Sequence, residues 1–249
     1  ASDLAREAMC GRVPGMNWSP QRLIFLMGTV LAFLVAAVNI HFMLTLGVSV
    51  GHLTGEVARL SSDVTVRSEA WVGDMQMFLV AIGGFVLGAI VAGYIMLTPA
   101  FAVARPYGRS IIGIGVTLLV ACAFETFSPA ASILLGAGAC GFQNALTSRY
   151  RGLILRTTHI TGVLTDFGQM VGMWLSGQAV NAWKIGAPLA IVVAFALGAL
   201  AGAWLHLNSP IAPLVILGLS YVGGGILWMI FKRRVLLDDD GTVAPQQAI

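Results

Sequence analysis

The stretch Ser49-Val50-Gly51-His52-Leu53-Thr54-Gly55 has a counterpart in Arg156-Thr157-Thr158-His159-Ile160-Thr161-Gly162. The shared His-x-Thr-Gly cores lie 107 residues apart (159 minus 52). Both are polar, bear glycine, and stand beside long apolar runs. Of the 249 residues, 57% are hydrophobic and 10% charged, and mean hydropathy is +0.87. A soluble domain carries roughly 25% charged residues, so this chain lacks the polar surface that water requires. The composition excludes a soluble enzyme, a disordered tail and a nucleic-acid binder. It predicts an all-α polytopic membrane protein whose first partner is the lipid bilayer. Continuous apolar runs in place of short alternating strands argue against a barrel.

A bilayer core takes about 20 residues of helix. Six runs suit it: Leu23 to Leu46, Met75 to Leu97, Ser110 to Phe124, Ala130 to Ser148, Ile185 to Leu205 and Ile211 to Phe231. Pro99 and Pro106 close the second, and Leu207-Asn208-Ser209-Pro210 separates the last two. The 107-residue offset carries the second run roughly onto the fifth and the third onto the sixth. The first maps onto the fourth, with Asn39 near Asn144 after a slip of two residues (39 + 107 = 146). The chain reads as two copies of one unit.

Charge fixes the orientation of the copies. If neither motif segment crosses and the N-terminus is inside, only Arg59 and Arg67 of the 14 basic residues fall outside. Three crossings per unit turn the second copy upside down. The expected architecture is six transmembrane helices as an inverted three-plus-three repeat with two re-entrant or broken His-x-Thr-Gly segments. Residues 1–22 form a polar cytoplasmic arm without a signal-peptide pattern, 23–127 the first membrane repeat, 128–234 the second, and 235–249 a flexible C-terminal tail. Both termini are expected in the cytoplasm.

Irregular backbone at membrane depth must be buried in protein or line a cavity. Two such segments meeting at the midplane resemble the sites of secondary transporters, where helix N-termini face an anionic group. The candidate substrate-binding residues are therefore His52, Thr54, Gly55, His159, Thr161 and Gly162, with Asn39 and Asn144 lining the cavity. The hydroxyls would donate, the glycines would admit close backbone approach, and the histidines would donate or carry protons. The competing structural role is a helix cap, each histidine bonded to a nearby carbonyl. Asp166, Glu56 and His41 are candidates for coupling or gating. Against these stand a salt bridge from Asp166 to Arg149, Arg151 or Arg156, a solvated outer-face position for Glu56, and simple cross-helix bonding for Asn39, His41, Gln143 and Asn144.

Gly84 to Gly88 and Gly198 to Gly202 are GxxxG patterns that predict close helix packing. Trp18, Trp71, Tyr107, Tyr150 and Trp183 fall near span ends, as in an aromatic belt. Glu125 falls at a span end and reads as interfacial. No pair of histidines at helical spacing and no CxxC supports a metal site, no cofactor motif is visible, and Cys10, Cys122 and Cys140 imply no disulfide framework. No nucleophile–base constellation marks an enzyme.

Ser49 to Gly55, Gly141-Phe142-Gln143-Asn144-Ala145 and Arg156 to Gly168 resemble the YoaK-like family of bacterial membrane proteins, a family of unknown function. The resemblance covers about residues 22–232. It implies a six-span protein of the bacterial cytoplasmic (inner) membrane and a transporter role. The family commonly has Asp at the position of Asn39 and Asn at that of Glu56. If that Asp couples protons, this member has lost or altered the coupling. Two functions are weighed: a secondary transporter or channel for a small, anionic solute, and a non-catalytic accessory or assembly subunit of a larger membrane complex. A homo-oligomer fits either.

Overall fold

The computed structural model describes residues 20–66, 71–95, 107–146 and 159–237. They form helices α1 (Pro20–Leu46), α2 (Leu53–Val66), α3 (Trp71–Ile95), α4 (Tyr107–Phe124), α5 (Pro129–Leu146), α6 (Ile160–Leu175), α7 (Ala182–Asn208) and α8 (Pro213–Leu237). No strand occurs among the described residues. Helix α1 starts inside the expected N-terminal arm, and α8 runs into the expected tail. The rest of both segments, with Cys10, Trp18, Arg67, Tyr150 and the Arg156 to Thr158 part of the second motif, lies outside the described residues.

Five helices, α1, α3, α4, α7 and α8, are long and apolar enough to cross a membrane. Leu79, Leu87, Ile90, Leu200, Trp204, Leu227 and other large apolar side chains stand exposed on them. A contiguous apolar surface of this extent is stable only against lipid, and the chain is an integral membrane protein. Helix α5, the fourth expected span, is not among the five. It holds Gln143, Asn144 and three glycines in 18 residues. Those groups suit helix packing: Ser132, Gly136, Cys140, Gly141 and Gln143 are all buried, with α3, α4 and α1 alongside.

Glycine registers pair the long helices. A Cβ at Gly84 or Gly88 of α3 would strike the backbone of Leu134 or Gly138 of α5. At Gly198 or Gly202 of α7 it would strike the backbone of Phe33 or Ala37 of α1. In both pairs the numbers rise together, so α3 runs parallel to α5 and α1 parallel to α7. In the third pair Gly108 meets Gly225 and Gly115 meets Gly218, so α4 and α8 are antiparallel. Such contacts replace the hydrophobic drive that lipid cannot supply. Short turns make antiparallel hairpins of α4–α5 and α7–α8. Together these directions set α1, α4 and α7 upward and α3, α5 and α8 downward. The link from α1 to α3, holding α2, begins and ends at the upper end of the bundle. The link from α5 to α7, holding α6, begins and ends at the lower end.

Tyr107 does not join an aromatic belt: it is fully buried, its ring 6.4 Å from that of Trp228. Trp71 and Trp183 are partly exposed, as a belt requires.

Gly88→Ala is expected to lower stability by about 1–3 kcal/mol, because α3 and α5 must separate. Gly83→Ala, where nothing lies within 4 Å of the new methyl, should leave stability unchanged or higher. Thermal unfolding in detergent checks both.

Candidate functional site

Helix α1 ends at Gly47, whose φ of +70° suits glycine and turns the chain back into the bundle. The turn is held from two sides. Asn39 Oδ1 accepts from Ser49 Oγ and from Gly51 N, both at 2.8 Å. Ser49 N donates to Glu56 Oε1 at 3.0 Å, and His52 N donates to Ser49 Oγ at 3.0 Å. Glu56 Oε2 accepts from Arg59 Nε at 3.0 Å, and Arg59 also reaches Asp63 at 3.5 Å and Asp74 at 3.3 Å. Glu56 is therefore not the solvated outer-face charge of the sequence reading. It is 5% exposed, and its charge is spent on a backbone amide and a guanidinium. Asn39 and Glu56, the two departures from the family pattern, grip the same serine.

The turn delivers His52 to the start of α2. Its ring lies 5.0 Å from that of Phe195, the middle residue of α7, so the motif reaches half the depth of the bundle. His52 Nε2 is buried without a hydrogen-bond partner. His52 stands in the link before α2, outside the long helices. Its pKa is pushed below the ordinary histidine value, first by burial and then by His159, which lies within electrostatic range. The two motif histidines thus lie within electrostatic range of each other, although their links begin at opposite ends of the bundle. His159 occupies the N-cap position of α6 without a side-chain cap bond. Its ring instead folds over Gly162, where a Cβ would sit 2.6 Å from Nδ1. The carbonyls of His52 and His159 accept the first helical bonds, from Gly55 N and Val163 N, at 3.1 Å each. Each histidine thus heads a helix N-terminus, with free amides and a positive dipole end.

The other sequence candidates are placed as follows. Thr54 and Thr161 are exposed, and Gly55 faces open space, so close approach is demanded at Gly162 alone. Asp166 lies on the exposed face of α6, and its suggested partners Arg149, Arg151 and Arg156 fall outside the described residues. Gln143 is buried, donating to Leu31 O at 2.9 Å and accepting from Tyr221 Oη at 2.5 Å, while Asn144 is half-buried beside it. His41 is buried and bonds Glu125 of the α4–α5 turn at 2.6 Å, toward the upper end of the bundle. Among the described residues, no three His, Cys, Asp or Glu side chains are grouped to hold a metal ion. Two apolar cavities flank the bundle. One of about 580 Å³ lies between α1 and α8, and one of about 670 Å³ is walled by α3, α4 and α5. Neither is lined by His52 or His159.

Sequence reasoning missed Ser49, Thr45, Glu125 and His206 as partners. No signal in the sequence pairs them; the structural register Phe33–Gly198 and Ala37–Gly202, extended by one turn, sets His41 beside His206.

Asn39→Ala is expected to orphan Ser49 Oγ and Gly51 N at a cost of about 1–3 kcal/mol each. Asn39→Asp, whose carboxylate can still accept both bonds, should cost less. Thermal unfolding in detergent, with reactivity of a cysteine placed at Val50 as a reporter of the turn, checks this.

No curated protein and no solved structure matches the chain. Residues 27–226 match the model of the family described as "Protein of unknown function (DUF1275)", to which the YoaK-like proteins belong. With most of its length, both motifs included, inside that match, the chain belongs to the DUF1275 family.

Proposed function

We propose that the chain is a secondary transporter or channel for a small anionic solute, built as a six-span inverted three-plus-three repeat in the bacterial cytoplasmic membrane with both termini in the cytoplasm. The observation that carries it is that His52, beside Phe195 at the middle of α7, lies within electrostatic range of His159, each histidine heading a helix N-terminus. Two positive dipole ends brought together repel unless negative charge sits between them. Glu56 does not supply it, being neutralised by Arg59. The unpartnered Nε2 of His52 offers one further polar contact. A solute anion would complete the site, as in transporters whose broken helices face a substrate carboxylate.

Helix pairing supports the repeat. Exchanging α1 with α5, α2 with α6, α3 with α7 and α4 with α8 turns the α1–α7 contact into α5–α3, the α2–α3 contact into α6–α7, and leaves α4–α8 unchanged. Residues 23–127 and 128–234 are then the two units, and α5 is the sixth span. The absence of a nucleophile–base pair from the sequence reading supports binding and passage over enzymatic chemistry.

A second reading, a non-catalytic accessory subunit of a larger membrane complex, draws on Asn39, both of whose acceptor bonds go to the turn. Purified protein in proteoliposomes, challenged with a panel of small inorganic and carboxylate anions, separates the two. We expect currents for at least one anion, reduced about 10- to 100-fold in His52→Ala and His159→Ala, the equivalent of one charge-assisted hydrogen bond. Silence across the panel, together with stable co-purification in a large complex, would favour the accessory subunit.

A further inference from the structure

A second polar cluster sits at the upper end of the bundle, apart from the motif histidines. His41 of α1 is 2% exposed, and its Nε2 lies 2.6 Å from Glu125 Oε1 in the α4–α5 turn. Its Nδ1 lies 3.5 Å from Thr45 Oγ1, and the same hydroxyl lies 3.4 Å from Nδ1 of His206 on α7. The two rings are 5.7 Å apart, edge to face. His206 is partly exposed and two residues from the end of its helix. The partly exposed His206 is thus joined, through the hydroxyl of the exposed Thr45, to a buried imidazole and a half-buried carboxylate.

We infer that His206, Thr45, His41 and Glu125 form a proton-binding relay that loads one proton from the upper face onto the His41–Glu125 pair. A hydroxyl accepts one hydrogen bond while donating another, which is what a relay between two imidazole nitrogens requires. A proton from water binds His206. Its Nδ1–H passes to Thr45 Oγ1, the Thr45 hydroxyl proton passes to His41 Nδ1, and His206 returns to neutral. The load ends as imidazolium against carboxylate, so the net gain is one proton and no bond between heavy atoms changes. Histidine suits such loading near neutral pH.

The surroundings leave the pair its own charge balance. Cys122 of α4 is the other titratable neighbour, its Sγ 4.0 Å from Glu125 Oε2. The charges of α2 and α3 nearest this end, Glu56, Arg59, Asp63 and Asp74, are paired with one another. The relay bridges α1, the α4–α5 turn and α7, so loading it ties elements of both halves of the chain. Its use as a coupling site rests on the transporter reading. Proton binding itself does not, and the following test reads binding alone.

Proton uptake is measured on the detergent-purified full chain, acidified from pH 8 to pH 5 in weak buffer. A free carboxylate binds only about 0.2 proton over that range, so an isolated Glu125 would hardly be missed. We expect Glu125→Gln to take up about one proton fewer than wild type, because His41 loses its counter-charge and stays neutral. In stopped-flow uptake, Thr45→Val should slow loading at least about tenfold, and Thr45→Ser should restore it. Uptake by Glu125→Gln within about 0.2 proton of wild type, or loading as fast in Thr45→Val as in wild type, overturns the relay. Should Glu125→Gln not fold, the Thr45 pair decides alone. Silence in anion transport with the expected proton loss would sink the transporter reading and leave the relay standing.

Discussion

In lipid no water stands ready to satisfy a broken backbone, and that constraint shapes the rest of this molecule. The chain leaves α1 at Gly47 and turns inward through Ser49 and Gly51, whose amides would otherwise be orphaned among apolar helices. Asn39 and Glu56 answer them with three acceptor bonds, and Arg59 answers the carboxylate in turn. Only with that turn secured does α2 start at mid-depth, with His52 at Phe195. The glycine contacts supply the frame: they bring α1 against α7 and α3 against α5 at backbone distance, and they hold α7 where His52 meets it.

The two halves spend this frame differently. Beside Phe195, the start of α2 carries His52, whose pKa is pushed down by burial first and by His159 second. At the upper end, the α1–α7 register brings His41 and His206 together.

Much of this was legible in sequence. Apolar runs and their breaks predict helix ends within a few residues, because in lipid hydropathy is the dominant local force. The GxxxG pairs foretold the tight contacts found at Gly84, Gly88, Gly198 and Gly202. Three things were not legible. Tyr107 looked interfacial from its position, yet its packing against Trp228 buries it. Glu56 looked solvated from its place beside polar residues, yet the turn draws it inward. Glu125 looked like a surface charge at a span end, since nothing local reveals a partner 84 residues away. Such long-range polar pairings depend on which helix faces which, and hydropathy does not encode that.

Two matching segments entering from opposite faces and meeting at mid-depth is the claim on which the anion site stands. Single cysteines at Asp63 in α2 and Ser176 after α6, in a chain whose three native cysteines are replaced, test it in intact cells with a membrane-impermeant thiol reagent. The account predicts that the Asp63→Cys protein is labelled from outside, while the Ser176→Cys protein reacts only after the membrane is opened. Labelling of both from the same side would contradict it.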